Sequence, residues 1–373
     1  MSPVFTFEAL QAFHGDSLLV FIGDRLILVD GGPVNAYATS VRPRLEQLRA
    51  ARAPGGVLGI DLAMVSHIDA DHIIGLTDLG KEMVELADDQ QPQPYDIRTL
   101  WHNAFDDILG DGADDLRTAA VDALRDGPPD KVRTSGLAVV AGVAQGRELR
   151  DQATKLGWTL NRPFDGLVTA PRKITLGEAS ITVVSPHTAQ VAKLHESWER
   201  WLTHHQDVAS VAAYSDSSVY NLSSIVVLIE AGGKRMLLCG DARGDHVLAG
   251  LEDAGLAENG VTQLDVLKLP HHGSIRNVEK NFFERLPARH YVVSADGRNG
   301  NPETETLKMI AATRTDDDFE IHFTNHDGEN RLARRLDAFV KSRDRADRRF
   351  RVSFRDPAAL GLRIDLADPL EDA

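Results

Sequence analysis

Ser66-His67-Ile68-Asp69-Ala70-Asp71-His72 is the stretch that decides the fold, because it holds four candidate metal ligands within six residues. Asp61 to Val65 precedes it as a short apolar strand, and the periodic pattern from His72 to about Leu86 predicts a helix after it. In an extended loop, alternate side chains point the same way, so His67 and Asp69 converge on one cation. Asp71 and His72, where the helix begins, reach a second cation.

Ionised carboxylates and neutral imidazoles are the ligands that borderline and hard divalent metals take. The alternative interpretation is a surface loop with capping aspartates and solvated histidines. A bare His-x-Asp would suit that alternative. The full His-x-Asp-x-Asp-His pattern between a strand and a helix favours a metal site.

The composition indicates an ordinary globular protein. The chain has 373 residues, 42% hydrophobic and 26% charged, and we expect a single domain over residues 1–373. No apolar run approaches the roughly 18 residues of a membrane span. Met1 to Leu10 lacks the features of a signal peptide, and the one cysteine, Cys239, fits a reducing compartment. We therefore expect a cytoplasmic protein without a membrane segment.

The charge balance is acidic, with 41 Lys and Arg against 56 Asp and Glu, a formal net charge of −15. This argues against a protein whose surface as a whole binds nucleic acid. Bound cations would change the sign locally. The 14 histidines favour a metalloenzyme.

The first part of the chain predicts antiparallel strands followed by a helix. Val4–Phe13, Ser17–Phe21 and Leu26–Val29 form a hairpin or meander, and Arg42–Ala53 is an amphipathic helix. Asp30 ends the third strand, where it either orients a metal ligand or caps a turn.

Ile97–Trp101 predicts a further strand, with His102 at its end as a candidate extra ligand for the first cation. A lone histidine equally suits a structural role. Residues 105–165 read as a helical insertion, which either roofs a substrate cleft or packs on one edge of the domain. Residues 331–373 predict a C-terminal helix and two strands.

The second half places polar residues at two strand ends. The strand Met236–Leu238 leads to Asp241, a candidate carboxylate that bridges two metals. The strand Leu264–Leu269 leads to Pro270-His271-His272-Gly273-Ser274. Paired histidines before Gly-Ser indicate ligand or acid chemistry and a backbone turn that can bind an anion. Surface histidines are the alternative.

Four stretches together resemble the metallo-β-lactamase fold, in the order of that family: His14-Gly15-Asp16 leading to Asp30-Gly31-Gly32, the loop 66–72 with Ile73-Ile74-Gly75, Asn221 to Asp241, and Leu267 to Ser274. The aspartate at the second position of the loop, Asp69, is similar to the variant of ComEC-type DNA-uptake proteins and their stand-alone relatives.

This resemblance implies an α/β fold, an αββα four-layer sandwich with its site at one edge. It also implies a metal-dependent hydrolase, with nuclease or phosphodiesterase activity on DNA as the leading expectation. The chain departs from the family at Asn301-Pro302, where His-Pro is usual. Asn301 either coordinates through its amide oxygen or leaves a ligand position for His271.

Two divalent ions about 3.5–4 Å apart share a water and convert it to hydroxide near neutral pH. On this hypothesis Asp241 bridges, His67 and Asp69 hold the first ion, and Asp71 and His72 hold the second. The carboxylate Asp69 makes Mn²⁺ or Mg²⁺ a rival to Zn²⁺.

The remaining roles complete this hypothesis. His271 completes a metal shell, and His272 protonates the leaving oxygen. Lys268 or the Gly273-Ser274 backbone holds a phosphate oxygen. Asp16 joins Asp30 as an orienting residue.

Three rival functions remain at this stage. An acyl or lactone hydrolase would use the same hydroxide on a carbonyl. A metal-poor, partner-binding scaffold would fit Asn301 and the acidic surface. A nuclease effector would stay inactive until a partner protein or a protease acts on the insertion, as stand-alone relatives in bacterial defence suggest.

Overall fold

The fold is seen in a computed structural model that describes residues 5–104, 130–192, 223–314, 318–344 and 350–366. Within these ranges, two large β-sheets, a two-stranded sheet and helices make a mixed α/β architecture. No helix among them combines the length and the apolar character needed to cross a bilayer.

The strands, numbered along the chain, are β1 (Phe5–Leu10), β2 (Leu18–Ile22), β3 (Arg25–Val29), β4 (Leu58–Ile60), β5 (Leu62–Met64), β6 (Tyr95–Ile97), β7 (Thr99–Trp101), β8 (Thr159–Leu160), β9 (Arg172–Leu176), β10 (Ala179–Ser185), β11 (Val226–Ala231), β12 (Lys234–Leu238), β13 (Leu264–Lys268), β14 (Ala288–Val293), β15 (Phe319–Phe323), β16 (Phe350–Phe354) and β17 (Gly361–Asp365). The α-helices are α1 (Arg42–Arg52), α2 (Ala70–Asp88), α3 (Asp130–Leu156), α4 (Gly244–Asp253), α5 (Lys280–Arg285), α6 (Thr304–Thr313) and α7 (Leu332–Asp344).

The first sheet has the strand order β17-β1-β2-β3-β5-β7-β8. Strands β1, β2 and β3 form an antiparallel meander, which confirms the prediction for the start of the chain. From β3 to β8 the pairs are parallel. Because parallel neighbours run the same way, the carboxyl ends of these strands lie at one edge of the sheet.

The second sheet has the order β16-β15-β14-β13-β12-β11-β10-β9. Strand β12 confirms the predicted strand Met236–Leu238 and forms a hairpin with β11, and β9–β10 is a second hairpin. From β12 to β16 every pair is parallel. The C-terminal part of the chain joins both sheets, since β16 ends the second sheet while β17 pairs with β1.

Three buried clusters hold these elements together. One contains side chains of both sheets, including Val20 and Leu238. A second joins the first sheet to α1 and α2 through Leu45 and Leu76. The third joins the second sheet to helices that include α5, where Phe282 is buried. Each such leucine or phenylalanine contributes about 1.5–3 kcal/mol on burial.

The structure divides the predicted strand Ile97–Trp101 into two. Strand β6 pairs with β4 in the two-stranded sheet, while β7 joins the first sheet. The change occurs at Arg98, whose guanidinium donates a 2.6 Å hydrogen bond to the buried carboxylate of Asp61. Asp61 also accepts from Arg25 at 2.8 Å. This polar cluster interrupts an apolar run that reads as continuous in the sequence.

The predicted insertion, 105–165, lies partly outside the described residues, which exclude 105–129. Within the described residues its second part is helical, as α3, in agreement with the predicted helical character. Strand β8 pairs with β7, so the sheet resumes before residue 165.

Helix α2 and the end of β3 approach so closely that both contact positions are glycine. A Cβ atom on Gly75 would lie 1.9 Å from the carbonyl oxygen of Gly31, and one on Gly31 would lie 2.1 Å from the nitrogen of Leu76. The backbone N–H of Gly31 donates to the carbonyl of His72 at 2.7 Å. This contact fixes the first turn of α2, and with it the candidate ligands at its start.

We predict that Gly75→Ala lowers the free energy of unfolding by about 1–3 kcal/mol or more, because backbone atoms on the other side cannot move away from the added methyl. Gly59→Ala is the matched control. A Cβ there has its nearest contact at 3.8 Å, with the side chain of Arg98, so we expect a change within about 0.5 kcal/mol. Urea unfolding measures both, and equal effects would contradict the interpretation.

Candidate metal centre

The candidate site lies where the carboxyl ends of parallel strands from both sheets meet. The first sheet contributes Asp30 after β3 and the loop 66–72 after β5. The second sheet contributes Asp241 after β12 and the pair His271-His272 after β13. Residues far apart in the sequence therefore share one pocket.

The buried carboxylate of Asp30 holds the loop. Its Oδ1 accepts a 2.7 Å hydrogen bond from the backbone N–H of Ser66. Its Oδ2 accepts from the Ser66 hydroxyl at 2.7 Å and from Nδ1 of His72 at 2.8 Å. The Ser66 oxygen lies 3.1 Å from Nδ1 of His67. With Nδ1 of both rings engaged, Nε2 is left as the ligand atom, which is how metal-binding histidines are usually oriented.

The pair His271-His272 adopts an unusual backbone conformation, with φ of 46° and 54°, followed by Gly273 at 85°. Left-handed non-glycine residues cost roughly 1–3 kcal/mol each and persist only where their surroundings hold them. Neighbouring side chains on a regular strand would point to opposite faces. This left-handed turn instead brings both imidazoles to Asp241.

Hydrogen bonds on Nδ1 fix these two rings as well. Nδ1 of His272 donates to the carbonyl oxygen of Ser294 at 2.9 Å. Nδ1 of His271 lies 2.8 Å from Oδ1 of Asn277, whose amide nitrogen donates to the carbonyl of Asp241 at 2.9 Å. Both rings therefore also present Nε2 to the pocket.

Oδ1 of Asp241 faces one group of candidate ligands. It lies 3.3 Å from Nε2 of His72 and 3.5 Å from Nε2 of His272. Oδ2 of Asp71 is 3.4 Å from the same Nε2 of His272. This is the position predicted for the second cation, with His272 added as a ligand.

Oδ2 of Asp241 faces a second group. It lies 3.6 Å from Nε2 of His271 and 3.9 Å from Nε2 of His67. Nε2 of His67 is in turn 3.4 Å from Oδ2 of Asp69. One carboxylate thus stands between two sets of imidazole and carboxylate groups.

These distances fit divalent cations. Two ligands at 2.0–2.1 Å from one tetrahedral ion lie about 3.3 Å apart. In the described chain, four of the facing atoms are buried without a hydrogen-bond partner: Nε2 of His67, His72 and His272, and Oδ1 of Asp241. Buried polar atoms are costly unless they are bonded. A bound cation at each position would satisfy them.

The charges in the pocket compensate one another. Burial raises the pKa of Asp241, but the imidazoles of His271, His272 and His72 outweigh it and hold that pKa well below its usual value. Burial lowers the pKa of His272, whereas the carboxylates of Asp241 and Asp16 raise it to about 10. A cation that binds there would displace the proton that the raised pKa of His272 retains on its imidazole.

Lys268 lies beneath the centre and has no exposed surface. Its ammonium donates to Oδ2 of Asp16 at 2.7 Å and to the carbonyl of Leu269 at 3.1 Å. Burial raises the pKa of Asp16, but Lys268 and His272 outweigh it and hold that pKa below its usual value. Lys268, one of the two groups predicted to hold a phosphate oxygen, is therefore enclosed and already paired.

Two other candidates lie apart from the facing ligand atoms. His102 is buried and belongs to no cluster of candidate ligand atoms among the described residues. Its ring packs on α3, since a Cβ on Gly146 would lie 3.4 Å from its Nε2. Asn301 donates from its side-chain amide to the carbonyl of His271 at 3.3 Å. It supports the backbone of the left-handed turn.

The rim of the centre carries a histidine and an arginine. The loop 14–16 lies against Asp71, because the N–H of Asp16 donates to the carbonyl of Asp71 at 3.1 Å. Nη1 of Arg298 is 3.3 Å from Nε2 of His14, and about half of the Arg298 side chain is exposed. An exposed guanidinium therefore stands beside the loop that contacts Asp71, a member of the first group of ligands.

The sequence analysis missed three orienting groups. Ser66 directly precedes the first histidine, and a hydroxyl at that position is a signal that could have been used. Asn277 lies in a loop, six residues after the histidine that it orients. Ser294 acts through its backbone carbonyl, which no side-chain pattern reveals.

We predict that Asn277→Ala weakens metal binding by about 10–100-fold, because His271 loses the partner that fixes its ring. Asn281→Ala is the matched control, since Asn281 is exposed on the following helix. Competition with a chelating indicator, for Zn²⁺ and for Mn²⁺, measures both variants. Equal affinities would show that Asn277 does not orient a ligand.

We predict that Asp16→Asn lowers the free energy of unfolding by about 3–5 kcal/mol, because it leaves the Lys268 ammonium buried without a counter-charge. Lys268→Met combined with Asp16→Leu should cost less than the sum of the single changes. The exposed pair Lys280–Glu284 is the control, and Glu284→Gln should stay within about 1 kcal/mol. Urea unfolding tests this, and additive effects would argue against coupling.

Comparison with known proteins gives only distant likenesses. No protein-family model matches the sequence, and no curated protein matches it. A solved structure named as a metal-dependent hydrolase, from Parabacteroides distasonis, is 9% identical with a TM-score of 0.34, covering 93% of this chain and 91% of that chain.

Two further solved structures are similar to the same extent. One, named as a Zn-dependent hydrolase of the metallo-β-lactamase superfamily from Thermotoga maritima, is 10% identical with a TM-score of 0.35, covering 93% of this chain and 98% of that one. The other, the metallo-β-lactamase MIM-1 from Novosphingobium pentaromativorans, is 11% identical with a TM-score of 0.31, covering 91% and 89%. At these scores the likeness does not assign the chain to a family, and its interpretation depends on the site itself.

Proposed function

We propose that this protein is a metal-dependent hydrolase of the metallo-β-lactamase superfamily, with two divalent cations held on either side of Asp241. The observation that carries the proposal is the opposed arrangement of its oxygens, with Oδ1 facing His72 and His272 and Oδ2 facing His67 and His271. The three core clusters, which alternate with the two sheets, support an αββα layering.

In this centre the first cation would be held by His67, Asp69 and His271, and the second by Asp71, His72 and His272, with Asp241 shared. Two cations in such a site activate a water and neutralise charge that develops on the attacked group. The chain's own contribution is orientation, since each of the four imidazoles is fixed through Nδ1. With three carboxylates in the set, Mn²⁺ and Mg²⁺ join Zn²⁺ as candidates.

His272 is assigned here as a ligand, in place of the predicted proton donor. Its Nδ1 is bonded to Ser294, and its Nε2 stands between Asp71 and Asp241. Neither nitrogen is left to reach a leaving group.

A phosphodiester, and DNA in particular, is the substrate class that we propose. The carboxylate of Asp69 makes the ligand set of the first site favour hard cations, and hard cations bind phosphate oxygens well. Arg298 offers a planar guanidinium beside His14, and guanidinium groups bind phosphate with two parallel hydrogen bonds. The carboxylate at the second loop position is also the feature on which the proposed ComEC-type relationship depends.

The insertion offers a route for regulation in this proposal. A Cβ on Gly142 of α3 would lie 3.1 Å from the carbonyl oxygen of Ile68, inside the metal-binding loop. A partner protein or a protease that displaced α3 would therefore act directly on that loop.

A substrate panel tests the proposal: single- and double-stranded DNA, RNA, a nitrophenyl phosphodiester and lactones, each with Mn²⁺, Mg²⁺ and Zn²⁺, before and after limited proteolysis. We expect metal-dependent cleavage of DNA and of the phosphodiester. Loss of an orienting residue lowers activity by up to roughly 100-fold. Asp71→Ala removes a proposed ligand, so it should lower kcat by more than that while the fold remains. Turnover that survives chelation would refute the metal assignment, and cleavage of lactones alone would establish the acyl hydrolase.

A further inference from the structure

A second cluster of metal-binding residues lies on the second sheet, outside the centre described above. His290 is on β14, and Glu320 and His322 are on β15. One ligand atom from each of the three lies within 4.8 Å of the others. All three share the sheet face of Val292, which packs between the two sheets.

The register of the strands brings these side chains together. His290 pairs with Glu320, and Val292 pairs with His322, so the three polar side chains point the same way from adjacent parallel strands. Side chains two residues apart on one strand lie on one face of the sheet. A bound cation can therefore contact side chains of both neighbouring strands. The backbone here is regular, paired parallel sheet, which suits a preformed site.

His322 is oriented as a metal ligand is. Its Nδ1 lies 2.7 Å from the hydroxyl of Ser353 on β16, so its Nε2 is directed at His290. Nε2 of His322 lies 2.9 Å from Nδ1 of His290, and one proton occupies the space between the two nitrogens. Partners on the far nitrogen fix the ring in the same way at known metal sites.

The carboxylate supplies the third ligand. Oε2 of Glu320 lies 3.6 Å from Nε of Arg351, and Oε1 lies 3.7 Å from Nδ1 of His322. Arg351 therefore faces one oxygen of the carboxylate, while the other lies beside the ring of His322, and one ligand atom of each of the three residues stays within 4.8 Å of the others. Two imidazoles and one glutamate form a donor set that Zn²⁺ takes in proteins.

We propose that His290, Glu320 and His322 form a separate site for one borderline divalent cation, of the Zn²⁺ or Cu²⁺ class. On binding, the proton between the imidazoles moves to Nε2 of His290, and the cation takes its place between the ring nitrogens. The nitrogens then separate from 2.9 Å to about 3.3 Å, the spacing of two ligands on one tetrahedral ion. The cation would link β14 to β15 through these side chains. His290 lies four residues before Ser294, whose carbonyl orients His272.

The test uses the full chain with the main centre disabled by His67→Gln and Asp241→Asn, so it does not depend on the proposed function. In this background we expect one Cu²⁺ per chain, with coupling to two nitrogens in the electron paramagnetic resonance spectrum. We also expect Zn²⁺ to raise Tm. Glu320→Gln and His322→Gln should each weaken Cu²⁺ binding at least about 10-fold.

His326→Gln is the matched control, because His326 is an exposed histidine next to a carboxylate, Asp337, at 3.0 Å. It should leave Cu²⁺ binding unchanged. Since His322 is buried, Glu320→Gln provides the isosteric variant that keeps the fold, checked by Tm without metal. An absent Cu²⁺ signal, coupling to fewer than two nitrogens, or an equal loss in His326→Gln would each overturn the proposal.

Discussion

The structure of the site depends on one constraint: four imidazoles must present Nε2 to a single carboxylate, Asp241. A histidine ring can rotate and offer either nitrogen, so the constraint is met only if each Nδ1 is already bonded. The fold supplies these partners from four different places, as a carboxylate, a hydroxyl, an amide and a backbone carbonyl. Metal ligands oriented in this way are rigid before any ion arrives, which reduces the cost of binding.

This constraint also explains the strain and the close contacts around the site. The left-handed turn at His271 and His272 is unfavourable alone, but it sends two neighbouring rings to one side. The contact between Gly31 and Gly75 brings the start of α2 to the strand that carries Asp30. In this arrangement Oδ2 of Asp30 lies 2.8 Å from Nδ1 of His72. The close backbone contact between Gly31 and Gly75 and the orientation of the histidine rings thus belong to the same arrangement of the site.

Much of this could be predicted from the sequence, because it is local. Periodicity indicated the meander, the helix after the loop and the strand before Asp241, and ligand spacing indicated the loop itself. The features that could not be predicted depend on tertiary contacts. A side chain bonded across the sheets, such as Lys268 to Asp16, resembles any lysine at a strand end. The tautomer of His272 depends on a carbonyl 22 residues away, and no sequence pattern records that hydrogen bond.

The acidic character of the chain bears on the substrate. A net charge of −15 repels DNA at long range, which lowers the rate of encounter. Inside the centre the balance is different, because two divalent cations would add four positive charges next to Asp71 and Asp241. Arg298 and His14 stand on that same side. An anionic substrate would therefore be attracted only at the loaded site, so affinity for a phosphodiester would depend on metal occupancy rather than on the surface as a whole.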